Sequence, residues 1–290
     1  MKSHFLFFTV LAFALSTFKA TAIETNPLEE LWVVNGLDQP ESVVYDPKHK
    51  QLIVSNINGA PLELNQQGYL SRVSIDGEIL EQHWVKNLNA PKGLAIYGDN
   101  VYVADMQVLH IISLSTGKTV QKFEIKDAKM LNDITVDQSG TVYVSDFLGG
   151  VIYRLENQKL TAWFSSEDLP HPNGLLSQQN RLLIGSWGKE VQEDFSTKVP
   201  GSLYSLDTDS QTLTPVSYGY QLGNLDGVVS IKDKTYISDW ISGDIYELFD
   251  NQRIKVLSPG SGVADIGAHD NMVFAPMMHN GQLIAWKTSN

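Results

Sequence analysis

Five polar side chains stand at the same place in successive copies of one short repeat: Glu41, Lys92, Asn132, Asn173 and Asp226. The copies read Pro40-Glu41-Ser42-Val43-Val44, Pro91-Lys92-Gly93-Leu94-Ala95, Leu131-Asn132-Asp133-Ile134-Thr135, Pro172-Asn173-Gly174-Leu175-Leu176 and Leu225-Asp226-Gly227-Val228-Val229. A degraded sixth copy puts Ala264 in the column. Two carboxylates and two amide oxygens brought to one axis would make a site for a hard cation. Calcium accepts about six to eight oxygens, so water or substrate would complete the shell. An oxygen-only set favours calcium, magnesium or manganese over zinc or copper. Calcium is the expected ion, with magnesium and manganese as alternatives. Glu41, Asn132, Asn173 and Asp226 are the expected ligands. Lys92 opposes them. At an effective dielectric of about 20, its ammonium about 6 Å away costs on the order of 5 kcal/mol, against on the order of 20 kcal/mol from two carboxylates in contact. The competing explanation is that Asn and Asp fill this column because they form turn hydrogen bonds.

The residues around the column read as strands. A second apolar run in each copy ends at Asn56, Asp105, Asp146, Ser186, Asp239 and Met277, after 15, 13, 14, 13, 13 and 13 residues. A third run follows, usually opened by Gly, as in Gly150 to Leu155 and Gly243 to Leu248. These runs are short, rich in Val, Ile and Tyr, and bounded by Gly, Asn, Asp and Pro, which is strand-and-turn chemistry. Copies about 40 to 50 residues apart, each holding several strands, signal a propeller. Five copies carry a fourth strand, such as Glu81 to Leu88. The sixth lacks one, and Leu31-Trp32-Val33-Val34 ahead of the first copy resembles it. The expectation is an all-β, six-bladed β-propeller with four antiparallel strands per blade. The N-terminal strand closes the last blade and removes an open sheet edge.

In such a blade, the start of strand one and the loop after strand two share a face. Both polar columns are therefore expected to point into one funnel. Insertions at Ile57 to Gln67 and Gly188 to Pro200 would overhang it. The residues after the second column are Ile57, Met106, Phe147, Trp187, Trp240 and Met278, all apolar. They fit either ordinary core or a collar around a polar floor, the usual make-up of a small-molecule pocket.

Residues 1–22 read as a secretory signal peptide. Lys2 gives a basic start, Phe5 to Phe18 is apolar but too short to span a bilayer, and Ala20-Thr21-Ala22 is a small-residue cleavage signature. Residues 23–290 then form a single propeller domain, exported to the periplasm or secreted. There is no cysteine, so there is no disulfide, thiolate metal site or cysteine nucleophile. Loss of the leader with Lys2 and Lys19 takes the net charge from −12 to −14. That balance argues against nucleic acid or anionic membrane as a partner, and no second apolar run could span a membrane. Asp207-Thr208-Asp209 lacks the Gly and distal Glu of a calcium loop and reads as a hairpin turn. His171 reads as a loop histidine within reach of the funnel, and His269 and His279 carry no clear signal.

Glu41, Asn132, Asn173 and Asp226, in their Pro-Glu-Ser, Leu-Asn-Asp, Pro-Asn-Gly and Leu-Asp-Gly settings, resemble the senescence-marker-protein and gluconolactonase family of regucalcin-like six-bladed propellers. The resemblance spans about residues 30 to 288 and extends more distantly to the paraoxonase lactonases. It implies that Glu41, Asn173 and Asp226 bind a divalent cation, with Asn132 beside the ion or its bound substrate and water, and with Asp226 as a proposed general base. Two positions depart from it. Met130 stands where gluconolactonases usually have a substrate-gripping arginine, and Lys92 stands where the paraoxonase branch has a proposed catalytic histidine. A sugar lactone therefore fits less well than an apolar-tailed lactone or ester.

Two functions follow. One is a metal-dependent hydrolase of a lactone or simple ester, with Asp226 as ligand and base and Lys92 facing the developing oxyanion. Asp133 would be an alternative base. Asn132, Lys92, Met106, Phe147, Trp187 and Trp240 would contact a small-molecule substrate. The other is a non-catalytic ligand-binding or interaction propeller with a structural calcium.

Overall fold

The computed structural model describes residues 28–288; the expected leader lies outside them. Six four-stranded antiparallel sheets form the blades, and a separate two-stranded hairpin joins Gly188–Val191 to Thr197–Pro200. The innermost strands are Pro40–Asp46, Pro91–Tyr97, Leu131–Val136, Pro172–Gln178, Leu225–Ile231 and the short Gly267–His269. The fold is the six-bladed propeller expected from the repeat. Among the described residues no helix is long and apolar enough to cross a membrane.

The ring closes as the sequence implies. Glu29–Asn35 pairs antiparallel with Gln282–Lys287 as the outermost strand of the sixth blade, with Val34 opposite Leu283. Apolar side chains from blades six and one, among them Val34, Val43, Val54, Phe274 and Leu283, pack across the seam. At the axis, the Asp265 amide donates to the Glu41 carbonyl at 2.9 Å. Ser42 and Asp265 form a parallel bridge there, which aligns Ala264 with Glu41 and confirms that the sixth copy offers no polar side chain in the column.

The repeat has a structural cause. In five blades the register between the first and second strands slips just after the first residue of the motif, between Pro40 and Val43, Pro91 and Leu94, Leu131 and Ile134, Pro172 and Leu175, and Leu225 and Val228. A bulge takes residues out of the ladder and re-aims their side chains. Here it turns the second motif residue toward the axis. The bulge also frees an amide, and a serine one residue before the end of strand two accepts it in three blades. Ser42 N donates to Ser55 Oγ at 2.9 Å, Asp133 N to Ser145 Oγ at 2.9 Å, and Gly227 N to Ser238 Oγ at 2.8 Å. The third motif residue faces the neighbouring blade. At Gly174 a Cβ would overlap the Asp226 carbonyl, so glycine there lets the fourth and fifth inner strands approach.

Candidate functional site: a polar floor beneath an aromatic well

The bulges bring Glu41, Lys92, Asn132, Asn173 and Asp226 together at the base of one well on the axis. All five are buried, with no more than 6% of any of them exposed. The Asn173 side-chain amide donates to the Leu225 carbonyl at 3.2 Å and to Asp226 Oδ1 at 3.1 Å. That fixes its Oδ1 on the other side. Three oxygens of the set have no hydrogen-bond partner: Glu41 Oε2, Asn132 Oδ1 and Asn173 Oδ1. Buried acceptors are rarely left this way, because an unpaired one forfeits its hydration. No cluster of three or more His, Cys, Asp or Glu able to hold an ion occurs among the described residues; this floor offers two carboxylates, and the remaining oxygens are amides.

Charge is as crowded as the geometry suggests. Burial pushes the Glu41 carboxyl well above its ordinary range, and repulsion from Asp226 and Asp265 adds to it, against a smaller pull from Lys92. Burial and Asp265 likewise push Asp226 up, partly offset by the Asn173 amide. The floor favours protonated acids unless positive charge arrives.

Lys92 lies flat rather than upright. Its ammonium donates to the Ala90 and Pro61 carbonyls, each at 2.9 Å, and lies 3.6 Å from Met106 Sδ. Burial lowers its pKa to about 8, against the pull of Glu41 and Asp105. Lys92 thus pins the 57–67 insertion, through Pro61, to the floor.

The collar divides. Ile57, Phe147, Trp187, Trp240 and Met278 line the well, joined by Met130, Pro61 and Phe195. Met106 does not; it packs into the same apolar cluster below the rim. Phe147 meets Trp187 edge-on, with ring centroids 5.3 Å apart, and Trp187 lies 5.9 Å from Trp240. His171 and His279 flank these walls, against Phe147 and Trp240 respectively, and neither lines the well. The free volume is about 110 Å³. Sequence reasoning missed Phe195 and Pro61 as lining residues, because both lie at irregular loop positions that no repeat marks.

The second column corrects one expectation: in four blades it braces loops instead of facing the funnel, while the Asn56 side-chain amide donates to the Val54 carbonyl and Ser71 Oγ of its own sheet. Asp105 accepts the Asn89 and Ala90 amides. Asp146 accepts those of Lys129, Met130 and Gly149, and Asp239 that of Asn224. Ser186 Oγ donates to the Pro170 carbonyl. In each case the residue ending strand two holds the loop that leads into strand one of its own blade. This is the turn chemistry of short polar side chains, applied to this column rather than to the floor. Asp133 also lies off the well. Its two carboxylate oxygens accept the Ile134 and Leu175 amides, and with Asp265 it lines a cavity at the opposite end of the axis. It braces two blades and is not placed to serve as a base at the floor. Asp207 is the expected hairpin turn, accepting the Asp209 and Ser210 amides.

No family model matches the chain, and no curated protein is similar enough to match. Solved structures match in fold. A catalytically inactive variant of virginiamycin B lyase from Staphylococcus aureus, solved with quinupristin, is 13% identical, with a TM-score of 0.59 over 90% of this chain and 99% of that one. A streptogramin B lyase is 11% identical, with a TM-score of 0.61 over 90% and 97%. The selenomethionine-substituted virginiamycin B lyase from Staphylococcus aureus is 12% identical, with a TM-score of 0.60 over 90% and 99%. At such identities the likeness is one of fold.

Proposed function

We propose that this chain is a divalent-metal-dependent hydrolase of a lactone or simple ester, working in the axial well. Three unpartnered buried oxygens, one of them from the Glu41 carboxylate, with Asp226 as the second carboxylate, at the foot of an apolar well, carry this reading. Glu41, Asn132, Asn173 and Asp226 would hold the ion, calcium by preference, with magnesium or manganese as alternatives. A bound cation would polarise the substrate carbonyl and stabilise charge developing on its oxygen. The donor set fits, since every candidate ligand is an oxygen and two of the oxygens are anionic.

The chain's own residues would do the rest. Asp226 is held by the Asn173 amide, and once the ion had offset its burial its carboxylate would take a proton from water. The aromatic wall of Phe147, Trp187 and Trp240 would receive the apolar part of the substrate and exclude bulk water. Lys92 would place its positive charge beside Glu41. With its ammonium turned to the Pro61 and Ala90 carbonyls and Met106 Sδ, its part would be electrostatic first. With the well facing solvent and a leader expected at residues 1–22, the proposed setting is the periplasm or the cell exterior.

A second reading has its own support. The floor draws its oxygens from four different blades, so a cation there would also staple the ring, and the well could bind a ligand without turning it over. Purified protein with calcium, assayed on γ-lactones and aryl esters, separates the two. Turnover is expected, is abolished by chelation, and falls by about 100-fold or more in Asp226→Asn. Calcium binding with no metal-dependent turnover on any substrate favours the structural reading and ends the hydrolase one.

A further inference from the structure

The well is small for a substrate with an apolar tail. An apolar cavity of about 150 Å³ accommodates a benzene ring, and this one holds about 110 Å³. A substituent beyond a small ring or short chain must displace a wall or extend through the open side of the well toward solvent. Most walls are fixed. Phe147, Trp187, Ile57 and Met278 belong to one packed buried cluster. Pro61 sits on an insertion but is tied down by the buried Lys92 ammonium, and stripping a buried charge of a partner is costly.

Phe195 differs. It follows the Glu193–Asp194 turn of the hairpin of Gly188–Val191 and Thr197–Pro200, which stands outside the six blades, and it packs half-buried against the edge of that cluster. Its φ is 65°, the left-handed region that a bulky residue rarely occupies unless neighbours hold it there. Two bonds do so: the Phe195 amide donates to the Gln192 carbonyl at 3.0 Å, and the Trp187 indole N–H donates to the Phe195 carbonyl at 2.7 Å. The hairpin is anchored at its base by the Asn224 side chain, which donates to Thr197 Oγ1 at 2.9 Å. The ring is thus latched over the well through Trp187, itself a wall.

We propose that Phe195 is the specificity-determining residue of the well, setting the length of the uncharged apolar group admitted beside the floor. The ligand class is a neutral carbonyl compound with an alkyl tail. Among the described residues the only cation lining the well is Lys92, and its ammonium is turned to the Pro61 and Ala90 carbonyls and Met106 Sδ, so the walls favour a neutral substituent over an anionic one. The proposal rests on the reading of the well as a small-molecule site.

The probes are γ-lactones with unbranched alkyl tails of increasing length, bound to the full chain with calcium present and followed by tryptophan fluorescence and calorimetry. Wild type is expected to gain about fourfold in affinity per added methylene up to a break length, beyond which the gain stops. Phe195→Ala is expected to move the break to a longer tail and Phe195→Trp to a shorter one. Phe195→Leu gives an intermediate break and serves where the alanine variant does not fold. The same break in wild type and variants overturns the proposal, as does no break in wild type or no binding at all. A shifted break without turnover of any lactone or aryl ester leaves the gate standing and removes the hydrolase reading. Turnover with an unshifted break removes the gate alone.

Discussion

At the scale of single residues, the floor is a set of groups that are unfavourable as they stand. Glu41 and Asp226 are buried together with Asp133 and Asp265, and all four carboxyls are held above their ordinary range, chiefly by burial. A carboxyl with a raised folded pKa binds its proton more tightly in the folded state. Its stabilising contribution is complete below the unfolded pKa and is lost as pH rises through the folded one. For Asp265 that window runs from the ordinary 3.8 to about 7. Lys92 has the opposite sign: its pKa is lowered to about 8 from 10.5, so its contribution is complete above 10.5 and is lost as pH falls through about 8. Lys92 is therefore mostly charged in both states across the carboxylate window and adds little slope there. The metal-free protein is expected to melt at a lower temperature at pH 7.5 than at pH 5. Glu41→Gln removes one of the repelling charges. Its melting temperature should depend less on pH, and it should respond less to added calcium. Thermal melts in chelator at both pH values check this, and a metal-free wild type more stable at pH 7.5 would contradict the charge assignment.

At the scale of elements, five blades present their floor residue through a bulge that re-aims the side chain. In three of them a serine accepts the amide that the bulge frees, and in three an aspartate at the end of strand two holds the incoming loop. The polar floor was legible in the sequence because its residues fall at one motif position. The bracing role of Asp105, Asp146 and Asp239 was not, because a terminal aspartate reads the same whether it faces a funnel or caps a loop. Ser55, Ser145 and Ser238 also recur at one position, a signal hidden by the strand pattern around them. Phe195 carried no signal, since its place over the well depends on how an inserted hairpin folds back. Asp146 gives the sharpest test of the bracing. Asp146→Ala leaves the Lys129, Met130 and Gly149 amides unpaired and is expected to cost about 3 kcal/mol. It should also loosen Met130 in the well wall. Urea denaturation measures the first effect. A loss below about 0.5 kcal/mol would mean that the bond is dispensable.

At the scale of the whole molecule, closure makes the site possible. Five side chains separated by up to 185 positions, from Glu41 to Asp226, meet because the strand Glu29–Asn35 completes the sixth blade and locks the ring. The same ring would be tightened by an ion that gathers oxygens from four blades. A calorimetric titration of the metal-free protein with calcium at pH 7.5, paired with thermal melts, tests this most directly. One ion per chain is expected. At about 100 times its dissociation constant it should add about 2.7 kcal/mol and raise the melting temperature by about 5–10 °C, with both effects sharply reduced in Asn173→Ala. No heat of binding and no change in melting temperature with calcium, magnesium or manganese, or unaltered binding in Asn173→Ala, would contradict a cation held at this floor.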